Sequence, residues 1–321
     1  MERIVFLDRY AVRVALPQPT FAHEWIEYPR TTADQVVERL RDATIAITNQ
    51  VPITAQTLDA VPTLRLVAVA ATGYDHIDMA ACGARDVTVC NVRHWSITVP
   101  EHVFALILAL RRQLLAYREA VASGAWGEAN GFCLILDPLP MALSGSTLGL
   151  IGYGALAKKV ERMAEGFEMR VLVAERRGAA TIREGRVPFE RVLAESHVLV
   201  TLCPLSAETR GLISAPELAA MKRDAILVNC ARGGIVDETA LLAALRAGTI
   251  AGAGLDGLTV EPPRDGHPLL DVNLPNLIVT PHIAWASNAS LEVFARKLID
   301  NLEAFVTGEP QNMVRMRDPS A

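Results

Sequence analysis

The strongest constraint on what this chain can fold into is a glycine turn set between a strand and a helix. The segment Leu148-Gly149-Leu150-Ile151-Gly152-Tyr153-Gly154-Ala155-Leu156-Ala157 is an apolar run ending in Gly-x-Gly-x-x-Ala, and an amphipathic stretch continues through Lys158 to Glu165. Gly152 permits a tight turn. Gly154 lets backbone N–H groups approach an anion at the helix N-terminus, and Ala157 is small enough for the helix to pack on the strand. A second apolar run, Arg170 to Ala174, ends at Glu175. A strand before, a helix after and a carboxylate about twenty residues on make a dinucleotide-binding βαβ unit. Gly152, Gly154, Ala155 and Leu156 are therefore candidate coenzyme residues, with the pyrophosphate on the helix N-terminus. Glu175 is expected to accept hydrogen bonds from the adenosine ribose hydroxyls, which favours NAD. Arg176 and Arg177 follow at once, and either could pair with a 2′-phosphate, so NADP stays open.

The same alternation runs through the rest of the sequence. Apolar runs predict strands at Ile4–Leu7, Ile45–Thr48, Leu66–Ala70 and Val87–Asn91, with a helix over Thr31–Arg41 capped by Thr31 or Thr32. Later strands are expected at Leu148–Ile151, Val198–Leu202, Ala225–Asn229, Ala251–Leu255 and Leu277–Thr280. Thr98-Val99-Pro100-Glu101 and Ser214-Ala215-Pro216-Glu217 both read as capping boxes with proline in the first turn. The first opens what reads as one long helix through Val121. The second opens a helix to Lys222. Asp237 caps another that ends at Gly248, and Asn288–Val306 is the closing helix. Ser123 to Ser144, rich in glycine and proline, reads as an irregular connection.

Alternating β and α elements imply an α/β fold with two doubly wound parallel-sheet lobes, Rossmann- or flavodoxin-like. A length of 321 residues supports two domains. The order of the elements predicts one lobe inserted in the other: residues 99–287 bind the dinucleotide, and residues 1–98 plus 288–321 form the substrate lobe. The helices at Val99 and Asn288 would bridge the two as hinges.

Composition removes other classes. The hydrophobic fraction is 51%, enough for real cores, while aromatics are only 5%, so aliphatic residues must build them. A net charge of −5 with no basic block argues against a nucleic-acid partner. No apolar run reaches the ~18 residues of a membrane span. The N-terminal MERIVFLDRY reads as a first strand and not a signal peptide. The five cysteines are odd in number and form no CxxC, so neither a disulfide framework nor a metal site is expected, and reduced thiols suit the cytoplasm.

Further blocks carry a resemblance. They are ATGYDHID from Ala71, TVPEH from Thr98, MKRDAILVNCARGGI from Met221, AGAGLDGLTVEPP from Ala251 and NLIVTPHIAWAS from Asn276. With the glycine turn, in this order, they resemble the D-isomer-specific 2-hydroxyacid dehydrogenases. TVPEHVFALILALRR, the Glu175-Arg176 pair and PHIAWAS are similar to the hydroxypyruvate reductase (glycerate dehydrogenase) branch. The resemblance implies a homodimeric NAD(P)-dependent oxidoreductase acting on a small 2-oxo or 2-hydroxy acid, with hydroxypyruvate or glyoxylate expected. An NADH-sensing corepressor of the same fold is the alternative, because it would keep the same site residues.

Reducing a 2-oxo acid requires a carboxylate grip, a polarised carbonyl and a proton donor. His282 is the expected donor, at the C-terminal end of a strand where α/β sites form. Glu261 is its expected partner, since a carboxylate beside an imidazole stabilises the imidazolium. Arg232 offers a planar, permanently charged fork for the substrate carboxylate and carbonyl oxygen. Thr72 and Gly73 are expected to give backbone N–H groups to that carboxylate, and Trp285 to narrow the substrate site. By resemblance, Asp256 faces the nicotinamide carboxamide, Thr209, Cys230, Ala231, His282 and Ala284 line the coenzyme, and Cys203 and Pro204 lie on its adenine and ribose side. Cys203 and Cys230 lack the signature of thiol catalysis. Three positions depart from the family pattern. Ala157 replaces a frequent glycine, Pro100 an alanine, and Gly257 an apolar residue, which would loosen the nicotinamide pocket or make room near Trp285.

Overall fold

Short aliphatic runs with no polar alternation can be buried on both faces only in a parallel sheet covered by helices. A computed structural model of the chain, describing residues 1–314, places them so. The first run of elements is β1 (Glu2–Phe6), β2 (His23–Glu27), α1 (Val36–Arg39), β3 (Ile45–Thr48), α2 (Ala55–Ala60), β4 (Leu66–Val69), α3 (Met79–Ala84) and β5 (Thr88–Asn91). Their strands form a five-stranded parallel sheet in the order β2-β1-β3-β4-β5. The central β3 and β4 are buried throughout, whereas the edge strand β2 keeps polar residues and stays partly exposed.

The second run is α4 (Val99–Arg111), α5 (Leu114–Ala122), β6 (Thr147–Ile151), α6 (Ala155–Gly166), β7 (Arg170–Val173), α7 (Phe189–Glu195), β8 (Val198–Thr201), α8 (Ala215–Ala220), β9 (Ile226–Asn229), α9 (Glu238–Ala247), β10 (Gly252–Asp256) and β11 (Leu277–Thr280). These strands make a six-stranded parallel sheet, β7-β6-β8-β9-β10-β11. Successive strand residues point to opposite faces. Leu148, Leu150, Val198, Val200, Ile226 and Val228 join the core beneath α4 and α6. Ile151, Leu199 and Leu227 join the opposite core, with Val192 of α7 and Leu241 of α9. Each fully buried Leu or Val contributes about 1.5–3 kcal/mol over exposure. The strand order reverses at β6, which lies between β7 and β8, and such a reversal opens a crevice at the strand C-termini.

The chain then enters α10 (Asn288–Val306). Ser287 caps it by accepting from the Ser290 amide, and Phe294, Leu298 and Leu302 form its buried stripe against β4 and β5. The fold divides into two compact units, Met1–Ile97 with the chain from Ala286 onward, and Thr98–Trp285. Residues 315–321 lie outside the described residues.

Several local expectations need correction. The long helix expected from Val99 to Val121 is two helices, separated at Gln113, whose φ is 53°. The apolar run that α4 buries ends at Arg111, whose guanidinium turns inward to donate to the Asp224 and Ala142 carbonyls. Helix α5 buries no residue, so packing does not hold it on the α4 axis. Thr98 caps nothing with its side chain, because its hydroxyl donates to the Ala284 carbonyl at 3.0 Å. The helix expected over Thr31–Arg41 is a 3-10 turn, Ala33–Gln35, followed by α1, with Thr32 as the cap. Helix α8 stops at Ala220, short of Lys222.

Candidate active site

Strand β6 delivers the glycine turn. Gly152 has φ 90°, and a Cβ there would come within 2.5 Å of the Cys203 amide nitrogen, so the turn can lie against the end of β8 only as glycine. Gly154 is the N-cap of α6 and makes no side-chain cap bond, and the space beside it is open. The first N–H groups of α6, from Ala155 and Leu156 on, thus remain available at the positive end of the helix dipole. Ala157 is fully buried, as close helix–strand packing requires. An open cradle floored by uncapped amides suits a pyrophosphate.

Glu175 follows β7 and is buried, yet it is densely partnered. One oxygen accepts from the Arg176 amide at 2.8 Å and from Arg183 Nη2. The other accepts from the Arg183 amide at 3.2 Å and from Arg183 Nε at 2.7 Å. The Arg183 fork holds this carboxyl well below the usual carboxylate range. Arg177, one of the two arginines that could meet a 2′-phosphate, is paired with Glu217 at 2.9 Å. Arg183 was invisible in the sequence, because it reaches Glu175 from eight residues away across an irregular loop.

Beyond β8, Cys203 is buried and its thiol is pushed up to about 11 by burial. Thr209 donates to the Pro204 carbonyl and accepts from the Ser206 amide, which knots the loop. Cys230 is buried and its thiol likewise raised, so neither cysteine is poised as a thiolate.

Arg232 follows β9 on a turn that Asn229 ties down. Asn229 donates to the Arg232 carbonyl at 2.8 Å and accepts from the Ala231 amide and the Thr201 hydroxyl. The Arg232 side chain donates to the Ala231 carbonyl. Asn229, a polar residue closing an apolar strand, is the sequence sign of this turn.

His282 follows β11 in the left-handed region, with φ 55°. Asp256, at the end of β10, keeps that loop in place. Its Oδ1 accepts from the Ile283 amide at 2.9 Å and the Thr280 hydroxyl at 2.6 Å, and its Oδ2 accepts from the Ala284 amide at 2.8 Å. His102 of α4 contacts the Thr280 hydroxyl from behind. Asp256 is thus buried and committed to the loop bearing His282. Trp285 donates its indole N–H to the His282 carbonyl at 2.8 Å. His282 Nδ1 lies 2.7 Å from Glu261 Oε2, while Glu261 Oε1 accepts from the Leu258 amide at 2.8 Å. A carboxylate only accepts, so Nδ1 carries a proton and donates it. Burial pushes the Glu261 carboxyl up. The His282 hydrogen bond and charge, the Leu258 amide and the Arg232 cation outweigh burial and bring it below its ordinary value.

Arg232, Glu261, His282 and Asp256 therefore come together at the C-terminal ends of β9, β10 and β11. The space beside Gly257 is filled by Glu261: a Cβ there would meet Glu261 Oε1 at 2.3 Å. Thr72 and Gly73 belong to the first unit, in the loop after β4. The Thr72 hydroxyl donates to the Val92 carbonyl and accepts from the Trp95 indole. Among the described residues no cluster of side chains fits a metal ion, and no helix is long and apolar enough to cross a membrane.

An uncapped glycine turn in one sheet, with a carboxylate-supported imidazole and an arginine at the ends of its strands, defines a dinucleotide-linked oxidoreductase. Residues 104–284 match the D-isomer specific 2-hydroxyacid dehydrogenase, NAD binding domain, and the chain belongs to that family. It is 47% identical to the glycerate dehydrogenase of Methylorubrum extorquens over 98% of this chain and 99% of the relative. It is 33% identical to the hydroxypyruvate reductase of Blautia hydrogenotrophica over 91% and 92%. Its fold superposes with TM-score 0.81 and 29% identity on an NADPH-dependent glyoxylate/hydroxypyruvate reductase of Sinorhizobium meliloti, solved with NADP and malonate, covering 99% of each chain.

Proposed function

We propose that the chain reduces short 2-oxo acids, hydroxypyruvate and glyoxylate first, to D-glycerate and glycolate. The observation that carries this reading is the 2.7 Å contact between His282 Nδ1 and Glu261, with the Arg232 cation acting on the same carboxylate. When bound, NAD(P)H supplies the hydride. Gly152, Gly154, Ala155 and Leu156 hold its pyrophosphate. Cys203, Pro204, Thr209, Cys230, Ala231 and Ala284 border it. Arg232 grips the substrate carboxylate and polarises the carbonyl oxygen. With Nδ1 tied to Glu261, the His282 Nε2 is the nitrogen that hands its proton to that oxygen. Glu261 keeps accepting from Nδ1 and so fixes which ring nitrogen acts. Asp256 and Trp285 keep the His282 backbone in its unfavourable conformation, so the ring stays aimed. Thr72 and Gly73 are the first unit's candidate substrate residues.

The reading includes a homodimer in a reducing compartment. Support for the dimer is the apolar surface of α5 and the arm after it, where Phe132 is 93% exposed and Trp126, Ile135 and Leu139 all exceed half. Support for the compartment is that all five cysteines are free.

The deciding experiment assays a panel of 2-oxo acids with NADH and NADPH. His282→Ala should lower kcat by about 10²–10⁴-fold, with coenzyme still bound by calorimetry. Coenzyme binding without turnover of any 2-oxo acid would favour the corepressor-like alternative.

A further inference from the structure

The carboxylate expected to receive the adenosine ribose has no capacity left for it. A carboxylate offers about four lone-pair sites. At Glu175 four donors fill them: the Arg176 amide, the Arg183 amide, Arg183 Nε and Arg183 Nη2. The ribose hydroxyls of NADH can therefore reach Glu175 only if the Arg183 fork opens, and Glu175 is then left with part of its buried charge uncompensated. The surroundings favour an anion instead. Arg186 Nε lies 4.0 Å from Glu175, anchored to the Ala174 carbonyl and laid over the Tyr153 ring of the glycine turn. Arg176 is exposed, and Arg183 keeps 54% of its side chain in solvent while holding the carboxylate. Three guanidinium groups thus oppose one carboxylate, and Arg177 is spent on Glu217.

We propose that Arg183 selects the coenzyme: it keeps Glu175 occupied and offers its exposed edge to a 2′-phosphate, so the chain binds NADPH more tightly than NADH. This rests on the reading of the Gly152 turn as the coenzyme site. A phosphate monoester carries a charge near −2 and suits a planar, bidentate fork. With Glu175 neutralised, the repulsion that normally excludes NADPH from such a carboxylate is gone.

The test is isothermal titration of the purified chain and of Arg183→Gln with NADPH and with NADH. The wild type should bind NADPH more tightly by about tenfold or more, as loss of a charge-assisted pair predicts. Arg183→Gln should weaken NADPH about tenfold and tighten NADH, because Glu175 is released to the ribose. A wild type preferring NADH, or a variant in which the ratio of the two affinities is unchanged, overturns the proposal while leaving the coenzyme site standing. A wild type that binds neither coenzyme overturns both. The Arg183 side chain is largely exposed, and circular dichroism should show an unaltered fold.

Discussion

Glu261 divides its oxygens between a backbone amide and an imidazole, and this makes it sensitive to pH. Its carboxyl lies below the ordinary value in the folded chain. A group with a lower folded pKa lends stability above its unfolded pKa and loses it as pH falls through the folded one. The difference in Tm between wild type and Glu261→Gln should therefore persist in mildly acid buffer and close below roughly pH 4. A difference that stayed constant down to pH 3 would show that the carboxylate is not linked to folding. Gly257 belongs to the same arrangement. Its φ is 114°, and a Cβ would strike Glu261 Oε1, so Gly257→Val, a change towards the family's usual residue, should push Glu261 off both partners. The expected result is a fall in kcat on the order of 10²-fold with coenzyme affinity retained. Unchanged kcat would mean that Glu261 can support His282 from elsewhere. The sequence announced the departure at Gly257 but pointed to the nicotinamide pocket or Trp285. What occupies the space is the neighbouring carboxylate, four residues along a loop whose path no periodicity encodes. Arg232, Glu261 and His282 were singled out by the resemblance, each within a dense motif. Arg183 and Thr280 were not, because their roles come only from tertiary approach.

Among elements, the two capping boxes show where local reading stops. Ser214-x-x-Glu217 and Thr98-x-x-Glu101 look alike in sequence, each with proline in the first turn. In α8 the box closes: the Ser214 amide donates to Glu217 at 3.0 Å and its hydroxyl at 2.7 Å. In α4 the tertiary contact with the Ala284 carbonyl takes the Thr98 hydroxyl, and Glu101 remains exposed. Glu217→Ala should therefore cost about 1 kcal/mol in chemical denaturation, while Glu101→Ala should stay within about 0.5 kcal/mol. Equal losses would contradict the difference between these two helix starts. The apolar strands β6, β8 and β9 lie within a residue of their sequence bounds, since burial on both faces leaves a continuous hydrophobic run. The edge strand β2 and the short helices α2, α3 and α7 escaped. β2 carries His23, Glu24 and Glu27 on an exposed edge, and helices of six or seven residues span too few turns to display a period.

At the scale of the whole molecule, length and βα alternation were enough for two parallel sheets, but the net charge does not give the sign of a local site. A chain of charge −5 should repel an anionic coenzyme. Charges more than about 10 Å away are largely screened at 0.1 M salt, so distant carboxylates count for little at the site. Nearby are Arg176, Arg183 and Arg186, together with the uncapped amides of α6, against the single carboxylate of Glu175. The local and global fields therefore predict opposite responses to salt. If the local cations govern, raising salt from about 0.05 to about 0.5 M weakens NADPH binding, and more steeply than NADH binding because the 2′-phosphate adds charge. If the overall negative charge governs, the same change tightens both. Titration calorimetry at the two salt concentrations separates the cases, and the arginine cluster requires the first. Tightening of NADPH with salt would show that these guanidinium groups do not face the coenzyme in solution.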